Sequence, residues 1–316
     1  MFSFIEIVRA LATCLITNSH FSPIYTYDIL AKGGAFGNSL FFLATGFCLA
    51  ECRNNFPEWY RKRLVRLYVP LLFASCFYLY IGNNWWETLF FSFVFPQNYW
   101  FVCALIILYP LYYIAVKYPF RNRKYVYTVI LILLYAVIYA KLDISRYMVE
   151  TIEFYAIRFS YIFSFFLMLL GAYLRKHFYE IKEKLYKKRG FLLMSFWVSM
   201  ILYFSFILCM KRFDVLCQIQ FIETILCIIT STSLFLFVMV YEDSIGNRKR
   251  NYLIHVASFL GKHTLEIYLV QFPIINFVGG LPIPSMIKLC IAVLTIVISA
   301  FILKNCSNWA LKIGKG

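Results

Sequence analysis

The sequence predicts an all-α, polytopic integral membrane protein with about ten transmembrane helices and both termini in the cytoplasm. Three observations predict it. Of 316 residues, 62% are hydrophobic and only 15% are charged, and the mean hydropathy is +0.72. A soluble domain is about half apolar and about a quarter charged. Apolar runs close to the roughly 20 residues needed to cross a bilayer recur along the whole chain. Finally, basic residues crowd alternate loops between those runs.

Taken in order, the runs are 4–21, 35–50, 64–82, 99–117, 125–142, 158–174, 191–210, 219–241, 259–278 and 283–303. The second is short, which fits a span with little tilt or a partly re-entrant segment. The ninth contains Gly261-Lys262-His263, which blurs its start. Arg53, Arg61, Lys62, Arg63 and Arg66 follow the second run, and Lys117, Arg121, Arg123 and Lys124 follow the fourth. Arg175, Lys176, Lys182, Lys184, Lys187, Lys188 and Arg189 follow the sixth, and Arg248, Lys249 and Arg250 the eighth. The intervening loops are poor: Lys32, none at 82–98, Lys141 with Arg146, and Lys211 with Arg212. Basic loops stay in the cytoplasm, so odd-numbered spans run outward. Lys304, Lys312 and Lys315 then mark a cytoplasmic C-terminus. Trp85-Trp86 and Tyr99-Trp100 sit at span ends as interface anchors do.

These features exclude several classes. The formal net charge of +16 reflects topology and is not a nucleic-acid footprint. No gap leaves room for a soluble domain, so a substrate must come to the membrane. Glu6 and Arg9 near the start of the first span, with no small-residue cleavage site, lead us to expect a retained helix. The cysteines (Cys14, Cys48, Cys52, Cys76, Cys103, Cys209, Cys217, Cys227, Cys290 and Cys306) lie mostly within spans and form no C-x-x-C pair. Neither a disulfide framework nor a metal site is indicated; they read as small packing residues.

The chemistry concentrates in a polar stripe on the first span. Arg9 and His20 lie eleven positions apart, which at about 100° per residue is three turns plus roughly 20°, or roughly 16 Å along the axis. Glu6, Thr13 and Thr17 share that sector. Ionisable groups inside a span are costly and mark pathways or reaction sites. An unperturbed histidine has a pKa of about 6.5, so the residue type at position 20 suits proton transfer near neutrality; the competing reading is a helix-end residue at the interface, with Glu6 and Arg9 simply paired. Four further constellations stand out. Phe41-Phe42-Leu43-Ala44-Thr45-Gly46-Phe47 places a hydroxyl and a close-packing glycine in the second span. Arg63 and Arg66 are neighbours on one helical face, fit to hold phosphate oxygens or to anchor the span. Tyr99-Trp100-Phe101 offers aromatic faces for a sugar or for the interface. Glu266 and Gln271 are polar within an apolar run and suit the bundle interior. His177 and His255 fall in loops and read as solvated.

In this order, Arg-x10-His, Phe-Phe-x-x-Thr-Gly, Arg-x-x-Arg, Trp-Phe and Ile267-Tyr268-Leu269 resemble the membrane acyltransferase family 3. The resemblance covers most of the chain and its ten-span core, and it is similar to stand-alone members that O-acetylate bacterial surface glycans. It implies one transmembrane acyltransferase domain over 1–316, in the bacterial cytoplasmic (inner) membrane. It implies His20 as the catalytic residue, and Arg9, Arg63 and Arg66 as ligands of the phosphates or pantetheine arm of acetyl-CoA, the acyl donor. Phe41, Phe42, Thr45 and Gly46 would shape the acyl tunnel, with Glu6 and Trp100 completing the substrate-binding set. The acceptor would be a surface polysaccharide or its lipid-linked glycan precursor. Two departures stand out: Thr45 replaces the usual serine, and Gln271 stands where many members carry histidine. The rival reading is a polysaccharide polymerase or flippase. A polymerase would carry a large arginine-rich outer loop, and a flippase would spread charge over several helices. A small-molecule exporter is a third reading. Coenzyme A binding separates all three from the enzyme.

Overall fold

The computed structural model of the protein describes residues 2–52, 54–81, 99–118, 126–142, 153–154, 157–247 and 251–313, without the side chains of 76–81, 153, 154 and 157. Arg53, Trp85, Trp86, Arg121, Arg123, Lys124, Arg146, Arg248, Lys249, Arg250 and Lys315, named above, lie outside the described residues, as does the Cys76 side chain.

The helices are α1 (Ser3–Ser19), α2 (Gly34–Leu49), α3 (Phe56–Ile81), α4 (Trp100–Lys117), α5 (Val126–Lys141), α6 (Ser160–Lys176) and α7 (Phe178–Tyr186). They continue as α8 (Arg189–Arg212), α9 (Phe221–Val240), α10 (Glu242–Asn247), α11 (Tyr252–Lys262), α12 (Thr264–Gly279) and α13 (Ser285–Ile313). A two-residue antiparallel pair, Glu153–Phe154 against Ile157–Arg158, precedes α6.

A helix lies over each apolar run. Among the described residues, α4, α8, α9 and α13 are long and apolar enough to cross a bilayer. Apart from α3, at 26 residues, the other helices are shorter. The ninth run is divided at His263, between α11 and α12. α3 begins at Phe56, ahead of its apolar run, and α13 continues to Ile313, well past its own. Those extensions carry the basic and amide side chains that later wall a cavity.

Burial is distributed as lipid demands. α8 and α13 expose large apolar side chains such as Trp197, Ile201, Leu294 and Ile298. α1, α2 and α12 instead pack within the protein, where Phe4, Val8, Leu40, Leu43 and Leu269 are fully buried. α2 packs tightly against α6. A Cβ on Gly46 would lie 2.0 Å from the Met168 carbonyl oxygen, and one on Gly171 would lie 2.2 Å from that of Leu43. Only glycine permits this approach, as in other small-residue membrane interfaces. Tyr112 locks it by donating its hydroxyl to the Gly46 carbonyl at 2.7 Å.

α1 is the inner axis, packed against α2, α11 and α12. The first backbone donors of a helix lack internal partners, and here the Glu242 carboxylate of α10 accepts from Ser3 and Phe4 at 2.9 and 2.7 Å. Thr13 donates to the Arg9 carbonyl at 2.8 Å and meets the Thr264 hydroxyl of α12 at 3.0 Å. At the far end Asn18 donates to the Leu30 and Lys32 carbonyls and accepts from Tyr25.

Both glycine contacts are backbone to side-chain stem, so neither can relax by rotamer change. Gly46→Ala is expected to cost about 1–3 kcal/mol by overpacking, read as a lower Tm of the purified protein in detergent. An unchanged Tm would contradict the α2–α6 contact.

Candidate active site

Three cavities line up along the polar stripe of α1. The largest, about 840 Å³, lies at the Arg9 end. Its size is within the roughly 300–1,000 Å³ of small-molecule pockets. The third, about 300 Å³, lies at the His20 end. Between them is a neck of about 10 Å³ walled by Thr13, Ile16, Thr17, Phe41, Phe101, Thr264, Tyr268 and Gln271. Phe41, Phe101 and Thr264 wall both the large cavity and the neck. Ile16 and Tyr268 wall both the neck and the His20 cavity. The stripe thus runs from one cavity to the other through a constriction.

The large cavity is strongly basic. Arg9 from α1, Arg63 and Arg66 from α3, Lys262 from α11, and Lys304 and Lys312 from α13 all line it. Its described carboxylate is Glu266, whose Oε1 accepts from Lys304 at 2.7 Å. The polar atoms here are not all used. Nε of Arg9 and of Arg63, Oγ1 of Thr45 and Oε2 of Glu266 are buried without a hydrogen-bond partner among the described residues. An unmade hydrogen bond on a buried group costs about 1–3 kcal/mol, more when it is charged. Such groups fit a ligand that brings many anionic oxygens and some donors. Paired guanidinium groups and ammonium groups match phosphate oxygens in particular. Arg63 also packs its guanidinium 5.4 Å from the centre of the Trp59 ring, which stiffens it.

The His20 cavity is different. His20 caps α1, and its ring lies 4.3 Å from that of Phe272 on α12. Trp100, Arg158, Lys32 and Asn38 complete the wall, with the Arg158 guanidinium 4.9 Å from the Trp100 ring centre. Gly33 and Gly34 form its floor. Gly33 has φ +106°, which only glycine adopts without strain, and a side chain there would meet Leu15. The wall can therefore hold a polar ligand between an aromatic face, two cations and an imidazole.

The sequence-predicted residues divide accordingly. Arg9, Arg63, Arg66, Phe41 and Thr45 converge on the large cavity, and His20 and Trp100 on the third. Glu6, Phe42 and Gly46 wall none of the three. Glu6 bonds Ser258 and lies 3.5 Å from Lys262, so it acts behind the wall by holding a lysine that faces the cavity. Phe42 is fully buried against Phe101, and Gly46 serves the helix contact already described. Of the two histidines read as solvated, His255 lies within α11 and His177 caps α6 beside Glu180 at 3.5 Å. Lys304, Asn308 and Lys312 were read from sequence only as terminus markers or not at all. Their spacing of four was the available signal, because it puts them on one face of a continuing helix. Arg158, Asn38 and Tyr109 had no such signal; they arrive by tertiary packing alone.

The profile of acyltransferase family 3, described as an acyltransferase domain, matches residues 2–304. The chain belongs to that family and is a multi-pass membrane acyltransferase. Comparison with curated proteins and with solved structures returns no match. Membership favours group transfer over the polymerase, flippase and exporter readings.

The Glu266–Lys304 pair yields a stability test. Glu266 is nearly fully buried, while about a third of the Lys304 side chain stays exposed. Removing one partner of a buried pair costs about 3–5 kcal/mol, and the exposure of Lys304 places Lys304→Met at or below the low end. Adding Glu266→Gln should recover most of the loss. Thermal unfolding of the single and double variants measures both; equal Tm values for the two would argue that the carboxylate is not stranded.

Proposed function

We propose that this protein is an O-acyltransferase that moves an acyl group, acetyl in the simplest case, from acyl-CoA to a hydroxyl of a bacterial surface polysaccharide or its lipid-linked precursor. One observation carries the reading: the basic cavity and the His20 cavity meet at a neck along a single helix. The alternation of basic loops puts the Arg9 end in the cytoplasm. Coenzyme A, a cytoplasmic polyanion, then suits the cavity of Arg9, Arg63 and Arg66, and its acyl end would point into the neck. The acceptor would approach His20 from the far side, in the inner membrane, with Trp100 offering a face for a sugar ring.

In this mechanism His20 takes the proton from the acceptor hydroxyl as its oxygen attacks the thioester carbonyl. The carbon–sulfur bond then breaks, and the thiolate of coenzyme A leaves and recovers a proton. Attack by His20 itself, through an acyl-imidazole, is an equivalent two-step route.

General acid–base groups contribute about 10²–10⁴-fold. His20→Ala is therefore expected to lose acetyl transfer by at least that much while inserting and accumulating normally. Radiolabelled acetyl-CoA given to membrane vesicles, followed by counting of glycan-bound label, measures it; near-normal transfer would end the assignment. Arg9→Ala and Arg66→Ala should raise KM for acetyl-CoA about 10- to 100-fold, matching the about 1.5–3 kcal/mol of a hydrogen bond to a charged group. A KM unmoved in both variants would reject the phosphate role. Comparing the ester content of the host's surface polysaccharide with and without this protein tests the acceptor class.

A further inference from the structure

The neck contains an amide that its surroundings leave unused. Gln271 is 0% exposed, and neither its Nε2 nor its Oε1 has a hydrogen-bond partner among the described residues. Two of its polar neighbours are committed elsewhere. Thr13 donates to the Arg9 carbonyl, and Thr264 to that of Gly261 at 3.0 Å. Phe41 and Phe101 on the same wall offer no conventional donor or acceptor. α12 holds the amide there firmly. Pro273 lacks an N–H and so releases the Leu269 carbonyl, and the Tyr99 hydroxyl takes that carbonyl up at 3.1 Å. Gln271 directly precedes Phe272, whose ring contacts the His20 imidazole. The free volume of about 10 Å³ suffices for one water at most. A carbonyl that reaches His20 from the basic cavity must therefore pass against this amide.

We infer that Gln271 is the hydrogen-bond donor to the acyl carbonyl, a residue that touches the reacting group. This rests on the acyl-CoA reading above. The thioester oxygen accepts from Nε2–H as the acyl end enters the neck. When the acceptor oxygen bonds to the carbonyl carbon, its proton goes to His20 and the carbonyl electron pair goes to oxygen, where Nε2–H holds the charge. Collapse restores the carbonyl, breaks the carbon–sulfur bond and returns the proton from His20 to the departing thiolate. A carboxamide does not titrate, so it donates throughout the pH range in which His20 must cycle between its two forms.

The test uses the full chain in lipid nanodiscs, with radiolabelled acetyl-CoA and a glycan-containing membrane extract of the native host. Gln271→Leu is expected to lower kcat about 10²–10³-fold, the loss seen when one oxyanion donor is removed. Binding of coenzyme A itself, followed by calorimetry, should stay unchanged. The Tm should be unchanged or higher, because a buried unpaired amide has been removed. Gln271→His, which keeps a donor, should retain more transfer than Gln271→Leu. Wild-type turnover in Gln271→Leu overturns the inference. So does a loss of turnover accompanied by a fallen Tm and lost coenzyme A binding, which would mark a structural role. A wild-type protein that transfers no label from acetyl-CoA overturns the acyl-CoA reading, and the inference with it. A wild type that transfers label beside an unimpaired Gln271→Leu overturns the inference alone.

Discussion

α1 carries polar and ionisable side chains through the interior of an apolar bundle, and every one of them must be satisfied or put to use. That constraint organises the molecule. Glu242 caps its first turn, Ser258 and Lys262 hold Glu6, Thr264 holds Thr13, and the Leu30 and Lys32 carbonyls hold Asn18. The tethered positions alternate with Arg9 and His20, which face cavities. In hydrocarbon an unsatisfied polar group costs several kcal/mol, so the tethers fix the rotation of α1 about its own axis. Rotation in turn decides which cavity each functional side chain enters.

Much of this is legible in the chain. Helical periodicity alone assigns Arg9, Thr13, Thr17 and His20 to one face, and the Arg63/Arg66 spacing to another. Both assignments survive in the structure because they depend on local geometry only. Periodicity says nothing about what the face meets. Glu6 shares the sector of Arg9 but turns to Lys262, since α11 reaches that level of α1. Gly46 was read as a tunnel residue by resemblance, whereas its missing Cβ is filled by the Met168 backbone. Helix ends were obscured for a different reason. A hydropathy window stops where apolar residues stop, but α3 and α13 continue as polar helices beyond that level and wall the basic cavity with the extra turns.

The constriction has an electrical side as well. In the proposed reaction the two polar cavities open to opposite sides of the bilayer, which would thin the insulating layer to the length of the neck. With about 10 Å³ of free space there, the rings of Phe41, Phe101 and Tyr268 face the constriction. In the proposed reaction, an acyl group of few carbons would disturb that constriction least.

The tethers of α1 also bear on how the chain is assembled. Glu242, Ser258, Lys262 and Thr264 all belong to the last quarter of the sequence, 238 to 256 positions away from the residues they hold. The leading helix therefore leaves the ribosome long before its companions exist. It must wait beside the growing bundle with Glu6 and Thr13 without these partners until α10 to α12 emerge. Helix one is the first to be synthesised and among the last to be locked, so biogenesis of this protein closes like a clasp, from its end back onto its beginning.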